Sequence, residues 1–164
     1  MKKAILFSLL LLGTLQINGQ CTLPYLPIEK FDNDVTAYTM YNFRDRGDCY
    51  DLKTFREFMD DLGIRIDHFK IKINNKDHRY IDGIAVFFYS EKELKNRLRN
   101  NREINSISVY FDEPILIEDL PDNTDMKSAN NWNSTYHNYF FNQVLLGTRT
   151  DVYSNSKYYE KYKK

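Results

Sequence analysis

The sequence predicts a single α+β domain, with a mixed three- to five-stranded sheet and helices packed mainly on one face. Three observations predict it. Two helix-forming stretches each open on a capping-box pattern, Thr54 with Glu57 and Ser90 with Glu93. Two stretches rich in β-branched and aromatic residues, "IRIDHFKIKI" and "YIDGIAVFFY", flank the polar turn "NNKDH". Setting aside the first 19 residues leaves 145 of the 164, enough for one core and too few for two.

Those 19 residues read as an export signal. Lys2 and Lys3 form a charged start, Ala4 to Leu12 an apolar stretch, and Gly13 to Gly19 a run of small and polar residues. The apolar part falls short of the about 20 residues a bilayer span needs. No later stretch approaches that length, so the mature chain is expected to carry no transmembrane span. The expected location is periplasmic or secreted, in a bacterial setting. A lipid anchor on Cys21 is the minority alternative, because Asn18 and Gln20 fit poorly where a lipoprotein peptidase wants a leucine-like and a small residue.

The chain has two cysteines, Cys21 and Cys49, and an even count in an exported protein favours a disulfide. It would tack down "CTLPYLPIEKF", whose prolines keep it extended. Next, "NDVTAYTMYNFRDRGD" offers Asn33 or Asp34 as a helix cap and Gly47 as a stop. The helix after Thr54 is better specified. Phe55, Phe58, Met59 and Leu62 form one apolar stripe, and Gly63 stands where a left-handed cap is wanted.

The two strands around "NNKDH" follow, and residues 84 to 89, apolar on both faces, predict a central covered strand. Ser90 opens a helix to about Asn101, and "INSISVYF" alternates as a strand. The intervening helix is long enough for a parallel crossover, so residues 84 to 111 are expected to form a βαβ unit. "PILIEDL" reads as a short edge strand with Pro114 at its start. Trp132, Tyr136, Tyr139, Phe140 and Val144 fall at helical spacing, and "TRTDVY" closes the domain, residues 20–153. Residues 154–164 show no core pattern and are expected to form a mobile tail.

Chemistry-bearing motifs are weak. His68 and His78 each follow an aspartate, Asp67 and Asp77, but the expected hairpin register separates the two rings by roughly 17 Å. His137 belongs to another helix, so no histidine is expected to be indispensable. Asp119, Asp122 and Asp125 are weak calcium candidates in an oxygen-rich loop, where a solvated acidic loop is the favoured reading. The basic residues late in "EKELKNRLRNNR" suit the helix dipole without any ligand. There is no G-x-S-x-G elbow, H-E-x-x-H pair or glycine-rich phosphate loop, and no cofactor is implied.

The mature chain carries 21 basic and 23 acidic residues, a net −2 that does not advertise nucleic acid. Aromatics make up 15% of the chain, and a tyrosine-rich sheet surface is favoured over an aromatic binding platform. The balance is against an enzyme. The functional expectation is an exported binding module for a protein, glycan or small molecule. A small envelope hydrolase with a dispersed site is the rival, and an inhibitor or immunity-type protein against a secreted effector the third reading.

Overall fold

A computed structural model describes residues 21–100 and 103–153. The expected signal, residues 1–19, and the tail, residues 154–164, lie outside the described residues. The described chain is one α+β unit. Its strands are β1 (His68–Ile73), β2 (Tyr80–Phe87), β3 (Ile104–Leu116), β4 (Asn130–Asn131) and β5 (Leu145–Tyr153). They form one sheet in the order β4-β1-β2-β3-β5. The helices are α1 (Val35–Met40), α2 (Phe55–Leu62), α3 (Glu91–Arg99) and α4 (Ser134–Phe140).

Local chemistry sets the helix starts. Asp34 accepts hydrogen bonds from the amides of Thr36 and Ala37, and Asn133 caps α4 from Thr135 and Tyr136. At α2, the Thr54 hydroxyl accepts from the Glu57 amide while Glu57 accepts from the Thr54 amide, and Gly63 ends the helix at φ 57°. Phe55, Phe58 and Leu62 are buried with Ile84 and Val86 of β2, as the stripe predicts, whereas Met59 is only partly buried.

The main core lies on one sheet face, under α1, α2 and α4, and is dominated by rings. Phe58 meets Phe43, Tyr50 and Phe55 edge-on or tilted at 5.3 to 5.8 Å between centroids. The other face holds a smaller cluster of Ala85, Phe87 and Ile104 with Leu94 of α3. β2 is therefore covered on both faces, as its continuous apolar run implies.

The segment before α1 is bound at many points. Cys21 and Cys49 form a disulfide, closing a loop worth roughly 3 to 4 kcal/mol in the chain-entropy account. Asn42 exchanges two hydrogen bonds with the backbone of Leu26, and Arg46, 6% exposed, donates to the Leu23 carbonyl.

Five expectations need correction. The sheet is wholly antiparallel rather than mixed, and residues 84 to 111 form no βαβ unit, because Phe87 pairs with Ser106 and β3 returns beside the end where β2 leaves. Helix α3, about 13 Å long, is shorter than the roughly 26 Å strand a crossover would retrace. "PILIEDL" is no separate edge strand: residues up to Leu116 extend β3 and pair with Tyr80 and Ile81, and 117–119 form a 3-10 turn. Pro114 is tolerated because the ladder to β2 skips from Tyr110 to Ile115. The helical spacing expected through Val144 ends at Phe140, because Val144 bridges Thr54 and Leu145 begins a strand. Finally, "NNKDH" is no tight turn: Ile73 pairs with Ile81 and His68 with Phe87, so the hairpin register differs from the one the sequence implies.

Candidate interaction surface

Three β-ladders change register along one line. The shifts lie between Lys72 and Ile73, between Ile81 and Gly83, and between Tyr110 and Phe111. The last regular row before them runs Lys72, Gly83, Tyr110, Gly147 across the sheet. Bulges aligned in this way bend a sheet and re-aim its side chains.

Tyr110 thus stands half-buried between two glycines. A Cβ on Gly83 would collide with the Val109 carbonyl, so that neighbour must be glycine. Gly147 has φ 149°, and a Cβ there would meet Asp51 Oδ1 at 2.9 Å. The two glycines put no side chain beside the ring in this row, and Lys72 Nζ lies 5.3 Å from its centroid.

A hollow opens on each side of Tyr110 and Leu146. One, of about 400 Å³, is lined by Asn74, Lys76, Asp82 and Asp112 among others; the second, of about 290 Å³, by Asp48, Asp51, Gly147 and Thr148. Asn74 Nδ2 donates to Asp82 Oδ1 at 2.6 Å. Partial burial, and next the charge of Asp48, raise the Asp51 carboxyl above the usual range.

Beside the hollows lies exposed apolar surface. The Leu52 amide donates to the Leu145 carbonyl, the Leu145 amide to Lys53, and Thr54 bridges Val144. Leu145 points into the core, whereas Val144 (39%), Leu146 (61%) and Leu52 (72%) are exposed. Leu146 is the extra residue of the bulge, since Tyr110 pairs with Gly147 and Phe111 with Leu145. Leu52 adopts φ 61°, a left-handed conformation that apolar side chains disfavour.

The residues singled out from sequence do not converge. His68 is buried, stacks on Phe87 at 4.8 Å and approaches Asp67 Oδ2 at 3.3 Å through Nδ1. Its Nε2 has no hydrogen-bond partner, and neither has the Oγ of buried Ser106, two strands away beyond Phe87, so no serine–histidine pair forms. His78 is exposed in the β1–β2 connection, beside an Asp77 carboxyl that Arg79 holds down to about 2. His137 packs against Phe141 and Trp132 on α4.

Asp119 ends a 3-10 turn and Asp122 is exposed. Asp125 accepts from the amides of Lys127 and Ser128, which lower its pKa. Among the described residues, no group of three His, Cys, Asp or Glu side chains is placed to hold a metal ion.

A larger trough of about 580 Å³ runs along α3, lined by Ser90, Lys92, Glu93, Lys95, Asn96 and Arg99. All six lie on a single helix and its cap, so nothing pre-organises them as two facing walls would. The bulged end is different, because the β1–β2 connection, β3, β5 and the 47–52 turn all contribute.

Sequence reasoning missed Leu52, Tyr110 and Leu146. The available signals were Gly83 and Gly147 inside strand patterns, which mark bulges, and the adjacent pair "LL" before Gly147, which cannot place both side chains in one core. Comparison with protein families, with curated proteins and with solved structures returns no match.

Proposed function

We propose that the protein is an exported binding module that docks a protein partner through Leu52, Val144 and Leu146 and the Tyr110 hollows beside them. One observation carries the reading. Leu52 combines left-handed backbone with 72% exposure, so its side chain does little for the fold while its backbone costs about 1 kcal/mol over a glycine. A leucine there serves contact with something outside the chain.

Export is supported by the basic start and apolar stretch of residues 2–12 and by the Cys21–Cys49 disulfide, which persists outside reducing compartments. No helix among the described residues is long and apolar enough to cross a membrane. Inhibition of a secreted effector, or immunity to one, is a form of this reading in which the effector is the partner.

The test is crosslinked capture from envelope extracts with the native chain and with the double variant Leu52→Ser, Leu146→Ser. Both should share one thermal midpoint, because both side chains are exposed. Partners held by the native chain and lost by the variant support the reading. An identical set retained by the variant overturns it.

A further inference from the structure

We infer that the partner docks a basic and apolar segment, with cations on either side of an apolar centre. This inference rests on the docking surface proposed above and adds the chemistry of what fills it.

The charges around the surface are one-sided. The two hollows are lined by Asp48, Asp51, Asp82 and Asp112 against a single cation, Lys76. None of the four carboxylates forms an ion pair with a described residue, whereas Asp45, Asp77, Glu57 and Glu93 each do. Of the cations on neighbouring segments, Lys53 Nζ lies 3.7 Å from Glu57, and Lys72 Nζ lies 5.3 Å from the Tyr110 centroid, where it keeps its charge beside the hollows.

The negative groups also bracket the apolar patch. Asp82 precedes Gly83 on one side of Tyr110, and Asp51 Oδ1 lies against Gly147 on the other. Gly83 and Gly147 are two strand spacings apart, about 10 Å. An extended peptide advances about 3.3 Å per residue and alternates its side chains, so cations at positions i and i+4, about 13 Å apart, would reach the two carboxylate pairs from one face while an apolar residue at i+2 meets Leu146 and Tyr110. Complementary charge at such a rim steers encounter and fixes register, while the apolar centre supplies the retained contact.

The experiment uses the full chain with its disulfide intact and three labelled peptides of one length. All contain a leucine at i+2, flanked at i and i+4 by Lys, by Gln or by Glu. Fluorescence anisotropy at low and high salt reads the affinities. The lysine peptide should bind most tightly and weaken about tenfold at high salt, since exposed charges are screened within a Debye length. Asp51→Asn and Asp112→Asn should each weaken it roughly three- to tenfold with thermal stability unchanged.

Equal binding of the glutamine peptide, or no effect of either substitution, overturns the basic partner and leaves the surface standing. Lysine-peptide binding that survives Leu52→Ser with Leu146→Ser overturns the surface itself. Retention of a neutral oligosaccharide through Tyr110, with no peptide bound, also overturns the inference and assigns the cleft to a glycan.

Discussion

The end where the extended N-terminal segment from Cys21 to Phe31 straps onto the core, the strap end, and the bulged end of this molecule use similar side chains differently. At the strap, Tyr38 donates to the carbonyls of Asp61 and Leu62, its oxygen lies 3.0 Å from that of Tyr25, and Tyr50 donates to Asp61. Arg46 lies over the rings of Tyr25 and Tyr50 and reaches Leu23 and Asn42. Polar tips find partners and apolar bodies are buried, which is the signature of a region built for stability. At the bulged end, leucines face water and four carboxylates form no ion pair among the described residues. Apolar surface left uncovered beside charge left unpaired is what the proposed partner contact would use.

The sharpest test of the contrast is in the ring cluster. Phe58 is fully buried, so Phe58→Ala should cost about 3 to 5 kcal/mol in denaturant unfolding, the range for truncating a buried aromatic. Leu146→Ala should change stability by less than about 0.5 kcal/mol. Similar losses at the two positions would erase the distinction.

Alkali should break the strap end first. Burial, and next the Tyr25 hydroxyl, push the Tyr38 phenol far above its ordinary value; burial, and next Asp61, do the same to Tyr50. A phenol raised in the folded state contributes stability that is fully present below about pH 10 and is lost as pH climbs towards the folded value. The native chain should therefore lose stability above about pH 10, and Tyr38→Phe or Tyr50→Phe should flatten that slope. Thermal melts across alkaline pH, with phenolate absorbance followed in parallel, read it. An unchanged slope in both variants would show that these two phenols do not carry it.

The smallest effect has the opposite sign. Leu52→Asn places in the left-handed turn a residue that tolerates it, and should stabilise the fold by about 1 kcal/mol while weakening partner binding. A destabilised Leu52→Asn would mean that the leucine packs for the fold, and the bulged end would lose its contrast with the strap.

Legibility followed the range of the interactions. Helix α2 could be read in full because its capping box, apolar stripe and terminal glycine lie within ten residues, Thr54 to Gly63. The central place of residues 84–87 was legible because burial on both faces leaves an uninterrupted apolar run. The proposed docking surface was not. Leu52 and Leu146 are far apart in sequence and join through hydrogen bonds to Leu145, and a leucine carries no mark of whether it will end in a core or in water.

By itself the sequence determined helix α2 with its cap and stop, the start of α3, the strands flanking "NNKDH", and the pairing expected of its two cysteines. Those features depend on short-range backbone geometry, side-chain caps and compartment redox chemistry, all written locally. The tertiary structure alone decided that β2 and β3 run antiparallel, that three register shifts fall on one line, and that Tyr110 ends between Gly83 and Gly147. Strand direction and register are set by the sum of many weak cross-strand contacts between distant residues, and no single stretch of the chain contains both partners.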